Sequence, residues 1–175
     1  KLRIKDGVEY LVAPVSMIVP GVLSGSKGSL FYPEDEVANS SPNWNDIPIT
    51  SYHPRDPLTG EDLSAQDDGV IERQGIGELK QTTFNKSKKL AGEAWFNIAR
   101  TRQIEPRIYN SLIKGEPIEC STGLFTENVD APAGSHHNGK PYDYIATAYR
   151  PDHLAVLPDQ VGACSIKDGC GVLVN

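Results

Sequence analysis

The chain has 175 residues, 38% of them hydrophobic and 23% charged, which suits a single domain over 1–175 with its own core. A formal net charge of −6 excludes nucleic-acid binding through a basic surface, because phosphate contacts need clustered Lys and Arg, and only Lys86, Lys88 and Lys89 cluster. No apolar run approaches the roughly 18 residues of a membrane span and none reads as a secretion signal, while a chain opening on Lys1 is expected to be trimmed.

In chain order, Gly7–Val12 and Pro14–Val19 read as two short extended segments broken at Pro14 and closed by Pro20-Gly21. Ser24–Ser29 is rich in Gly and Ser and is predicted as a loop. Pro33–Ala38 predicts a short helix, with proline near its start and acids in its first turn, where the helix dipole favours them. Ile47–Pro54 is a strand, expected at a sheet edge because of Pro48, with His53 held extended ahead of Pro54. Arg55–Asp68, loaded with Asp, Gly and Pro, is a long loop of the kind that is functional or mobile.

Gly69–Thr83 and Lys89–Ile98 predict a hairpin of longer strands around Phe84–Lys88, with Leu90, Ala94 and Phe96 on one face and Trp95 on the other. Thr101–Lys114 carries Ile104, Ile108 and Leu112 at a spacing of four, a helical stripe with Thr101 as N-cap, Pro106 in the first turn and Gly115 as the stop. Asn138-Gly139 marks a hairpin turn, and Tyr142–Tyr149 and His153–Leu157 are strand-like on either side of Arg150-Pro151-Asp152. The tail from Val161 to Asn175 is Gly-rich and coil-like. Many strands with few helices predict a β-rich α+β fold, a curled sheet or barrel of about seven strands.

Cys120, Cys164 and Cys170 are odd in number and lack a C-x-x-C pair, so neither a disulfide framework nor a zinc knuckle is expected, and a reduced, intracellular setting is the simpler reading, with Cys164 meeting Cys170 in the fold as the minor alternative. Pro117–Phe125 alternates so that Ile118, Cys120 and Thr122 share one strand face while Glu119, Ser121 and Gly123 share the other. Gly123 leaves space on the serine's face for another backbone to approach, and a hydroxyl beside an open patch suits a peptide-cleaving nucleophile. Such a serine needs a base. Of the four histidines, His136 and His137 sit in a polar hairpin loop without a third ligand and read as a solvated pair, whereas His53 and His153 both lie at strands. A Ser-His constellation is recognised by geometry and not by chain order.

Four stretches together resemble the tailed-phage prohead proteases, capsid-maturation serine proteases that share the fold of the herpesvirus assemblin proteases. They are Tyr10–Val15 through Gly21-Val22-Leu23, Ile47–Pro54, the helix with Gly115 and Cys120-Ser121-Thr122-Gly123, and Tyr149–Leu157. The resemblance spans nearly the whole chain and implies Ser121 as nucleophile, His53 as general base and His153 as the third triad member. Many phage relatives carry an acid in that third role; here Asp152 is adjacent, but strand alternation would turn it to the opposite face. Gly123 and Arg150 are the oxyanion or substrate candidates.

The resemblance also implies cleavage of the scaffold protein, of a segment of the major capsid protein and of the chain's own flanks, inside the immature capsid in the host cytoplasm. It implies no metal or organic cofactor. The herpesvirus relatives need dimerisation, so a homodimer belongs among its implications. A neutral imidazole in the third role stabilises an imidazolium less than a carboxylate would, so turnover is expected to be modest. The rival readings are a non-enzymatic capsid-associated or scaffolding domain on the same fold, Cys120 as nucleophile, and a metal hydrolase using His136 and His137.

Overall fold

The computed structural model describes residues 1–25 and 28–174. The main sheet has ten strands, built from β1 (Leu2–Lys5), β2 (Val8–Ile18), β3 (Gly21–Gly25), β4 (Gly28–Tyr32), β5 (Pro48–Ser51), β6 (Gly75–Phe84), β7 (Leu90–Asn97), β8 (Glu119–Asp130), β11 (Tyr144–Leu157) and β12 (Gly171–Val172). A separate two-stranded ribbon joins β9 (His136–His137) to β10 (Lys140–Pro141) around Asn138-Gly139, both in left-handed conformations as a tight hairpin turn requires. The helices are α1 (Glu34–Ser40), α2 (Val70–Gln74), α3 (Ile98–Ile104) and α4 (Pro106–Lys114). No described helix is long and apolar enough to cross a membrane.

The path through the sheet runs β1-β2-β7-β6-β5-β11-β4-β3. Its axis is β11, which pairs antiparallel with β8 along one edge from Tyr144 to Leu157 and parallel with β4 and then β5 on the other. The fold is thus α+β and strand-rich, but the expected barrel does not close. Where closure would occur, Ile118 and Val172 make one isolated bridge in place of a ladder. The core packs Met17, Ile18, Trp44, Ile49, Phe96, Leu154 and Val156, joined by Val37 of α1 and Ile108 of α4, all fully or almost fully buried.

Three departures from the sequence reading lie at prolines. Pro14 does not break the first strand; β2 runs through it. The Pro14 carbonyl accepts Leu173 N–H at 2.8 Å, so its missing donor faces away from the β7 ladder and costs no bond there. Pro48 is not on an edge strand either, since β5 lies between β6 and β11, but pairing with β11 begins only at Ile49. The predicted Thr101–Lys114 helix is two helices, because Pro106 has no N–H to continue α3 and instead opens α4 at its first position. Asn97, not Thr101, caps α3 by accepting Arg100 N–H at 3.0 Å, while Gly115 ends α4 in a left-handed conformation as expected. The stripe survives the break: Ile108 is buried and Ile104 and Leu112 pack against the core.

Other corrections are local. Ser24, Gly25, Gly28 and Ser29 belong to the β3–β4 hairpin and not to a loop; Ser26 and Lys27 fall outside the described residues. The β6–β7 hairpin forms, but Val70–Gln74 ahead of it is helical. The tail is not coil: a turn of 3-10 helix over Ile166–Asp168 and strand β12, paired to β2, give it structure, and Asn175 falls outside the described residues. Cys164 and Cys170 form a disulfide, Cα atoms 5.6 Å apart, against the expectation of unpaired thiols. The helical turn over Ile166–Asp168, ended by Gly169 in a left-handed conformation, folds the five residues between the two cysteines back so that the thiols meet.

Candidate active site

Strand β8 has the alternation read from its sequence. Cys120 faces the core, 1% exposed, and its thiol donates weakly to the Ser16 carbonyl at 3.8 Å. Burial, with Glu119 adding to it, pushes that thiol up to about 12, so it stays protonated. Ser121 lies on the opposite face, paired across the ladder with Ala155, and Gly123 is paired with His153. Directly opposed residues of an antiparallel pair share a face, so Ser121, Gly123, His153 and Ala155 form one surface. Arg150, exposed and paired with Phe125, continues it.

The space over Gly123 is not left for another backbone. A side chain there would collide with the His153 ring, which lies directly on the glycine. His53 reaches the same place from β5. That strand ends at Ser51, three residues sooner than expected, because Tyr52 takes a left-handed conformation with φ of 64°. This backbone is strained for a tyrosine, and local bonds hold it. Tyr52 N–H donates to Val156 O at 3.1 Å, and the hydroxyl donates to Asp159 and accepts from Arg107, each at 2.8 Å. The kink turns His53 back over β11, where His53 Nδ1 lies 2.8 Å from His153 Nε2 with the rings edge to face.

Behind His153 stands Asp152, whose Oδ2 is 2.6 Å from His153 Nδ1. Strand alternation predicts these neighbours on opposite faces, and the structure corrects that. The ladder with β8 slips between Pro151 and His153, leaving Asp152 as the extra residue of a bulge, free to turn its carboxylate onto its neighbour's ring. Asp152 is 4% exposed and His153 5%. The carboxylate also accepts Ala65 N–H at 2.8 Å and the Ser64 hydroxyl. Burial would raise the Asp152 carboxyl, but the bonds from His153, Ala65 and Ser64 outweigh it and hold the group below the usual carboxylate range. Burial, reinforced by the neighbouring His153 ring, lowers His53 from 6.5 to about 4 against the opposing pull of Asp62. At neutral pH His53 is an uncharged imidazole, the form that accepts a proton.

Ser121 is 9% exposed, and its hydroxyl forms no hydrogen bond among the described residues. The structure therefore joins His53 to His153 and sets Ser121 on the adjoining rung without bonding it to either. His136 and His137 take no part: His136 Nδ1 meets Gly134 O at 3.0 Å, and the His137 ring packs on Phe31. Among the described residues no group of three or more His, Cys, Asp or Glu side chains is gathered as for a metal ion.

Sequence reasoning set Asp152 aside and did not single out Ser64 or Ala65. The Ser64-Ala65-Gln66-Asp67 run does carry a local turn signal, realised as Ser64 N–H donating to Asp67 Oδ2 at 2.8 Å, but nothing in it names Asp152 as a partner 88 residues away. No protein-family model, curated protein or solved structure matches this chain. The likeness to prohead proteases thus rests on the sequence stretches themselves.

Proposed function

We propose that the chain is a serine endopeptidase of the Ser-His-His type that acts in phage prohead maturation. The observation that carries the reading is the bonded His53–His153 pair lying on the face that Ser121 occupies, with His153 Nδ1 engaged by Asp152 and His53 Nε2 left to accept a proton. His53 takes the hydroxyl proton as Ser121 Oγ bonds to a peptide carbonyl carbon, then hands that proton to the leaving amine as the C–N bond breaks. Water repeats the cycle on the acyl-enzyme and releases Ser121. His153 orients His53, and Arg150 and the backbone near Gly123 are the candidates for the developing oxyanion. The substrates are the scaffold protein, a segment of the major capsid protein and the chain's own flanks, met inside the immature capsid, and a homodimer is the working state to test. No metal or organic cofactor enters the scheme.

The rival reading is a capsid-associated or scaffolding domain that does no chemistry, and the structure bonds Ser121 to neither histidine. Catalytic bonds are often long before substrate arrives, so the two are separated by experiment. The chain is expressed with natural flanking sequence as parent, Ser121→Ala and Cys120→Ala. Self-processing that stops only in Ser121→Ala supports the peptidase. Processing that persists in Ser121→Ala removes it, and a parent that never processes itself or a capsid-protein segment leaves the structural domain as the answer.

A further inference from the structure

A carboxylate can only accept, and this fixes everything downstream of Asp152. Because Asp152 Oδ2 accepts at His153 Nδ1, the proton of neutral His153 sits on Nδ1 and its Nε2 is bare. The bare Nε2 must then accept from His53 Nδ1, which leaves His53 Nε2 bare as well. One carboxylate, acting through two rings in series, thereby presents an unprotonated nitrogen at the far end. Adding one proton to the pair reverses this: His153 becomes a donor at both nitrogens, and His53 carries its proton on Nε2.

Asp152 is itself held from the long loop. Asp56 Oδ1 accepts Leu58 and Thr59 N–H at 2.8 and 2.9 Å, Asp56 N–H donates to Glu61 O at 2.8 Å, and Leu63 N–H donates to Pro54 O at 3.0 Å. These bonds close residues 54–63 into a turn that delivers Ser64 and Ala65 to the carboxylate. Ser64 Oγ accepts Gln66 N–H at 3.0 Å, so its hydroxyl proton is directed to Asp152. The remaining charged groups that bear on the rings are Asp62 and Arg55 on the same turn, exposed and paired with each other at 3.1 Å.

The geometry points to Asp152 as a positioning residue, clamped by Ser64 and Ala65, that sets the tautomers of both histidines and holds the charge of the pair when it is protonated. This rests on the serine-peptidase reading for its catalytic meaning, but not for its titration. It makes the 55–68 loop a part of the site. It also returns to the third position, at one ring's remove, the negative charge that a neutral histidine lacks.

The test is histidine-ring nitrogen NMR on the full chain carrying Ser121→Ala, which prevents self-cleavage, with and without Asp152→Asn. Asparagine keeps an oxygen for Ala65 and His153 and turns its amide to Ser64 Oγ, so it removes charge more than structure. Without the carboxylate, the first protonation of the pair is expected about 1–3 pH units lower, the usual effect of an adjacent opposite charge. In the Ser121 form, Asp152→Asn lowers the plateau of cleavage by roughly 10–100-fold, within what general-base catalysis contributes, and moves its acid limb to lower pH. A purely structural role would lower the plateau and leave the limb in place. An unchanged titration on Asp152→Asn overturns the proposal. Should that variant not fold, the chain with Asp152 intact decides: a proton on His53 Nε2 at neutral pH overturns it, and a bare Nε2 upholds it. Cleavage that survives Ser121→Ala would fail the peptidase reading alone, because the titration is read without it.

Discussion

The His153 ring lies on Gly123, in the space that any side chain at that position would fill. Gly123→Ala must therefore tilt the ring and break its 2.8 Å bond to His53. The expected result is a stability cost of about 1–3 kcal/mol, the usual range for overpacking, and, on the proposed peptidase reading, loss of self-processing. Urea denaturation alongside the processing assay checks both, and full processing at parental stability would show that the ring has room to spare.

Acid should weaken the fold through His53. Its folded pKa of about 4 lies below the unfolded 6.5, so the unfolded chain takes up its proton first as pH falls. The stability it contributes is present above 6.5 and is lost on descending through 4. The separation corresponds to an upper bound of about 3 kcal/mol. In His53→Gln the urea midpoint should vary less between pH 6.5 and 4 than in the parent; equal slopes would contradict the assignment.

Reduction should loosen the tail. The loop closed by Cys164 and Cys170 is short, with a separation of 6, and the chain-entropy relation gives about 2 kcal/mol for closing it. Cys164→Ser with Cys170→Ser, or a reducing agent, is expected to lower the midpoint by that order. Non-reducing peptide mapping should recover the two cysteines linked and Cys120 free. A Cys120-containing cross-link would refute the pairing.

The Tyr149 hydroxyl is buried with no hydrogen-bond partner among the described residues, its ring edge-on to Tyr32 at 5.7 Å. An unpaired buried hydroxyl costs about 1–3 kcal/mol, so Tyr149→Phe should raise thermal stability. A lower melting temperature would reveal a partner, such as an ordered water, that the hydroxyl depends on.

Much of the sheet could be read from neighbouring residues. The β6–β7 hairpin, the Asn138-Gly139 turn, α1 and the Gly115 stop each depend on a few adjacent side chains and appear where the sequence puts them. So does the split of Cys120 and Ser121 between faces. The prolines misled, because whether Pro14, Pro48 or Pro106 interrupts an element depends on which neighbour its missing N–H would have faced.

By itself the sequence determined the strand-rich α+β character, the alternation that turns Ser121 from the core, and the candidates Ser121, His53 and His153. Only the tertiary structure decided that the sheet stays open, that Cys164 meets Cys170, and that Asp152 faces His153 from a bulge. It alone joined His53 to His153 across 100 residues and Ser64 to Asp152 across 88. The reason is one of range. Propensity and alternation are properties of residues a few bonds apart, whereas register, bulges and clamps arise when distant strands compete for the same hydrogen bonds, and a ladder slips by one residue only where its partner allows it.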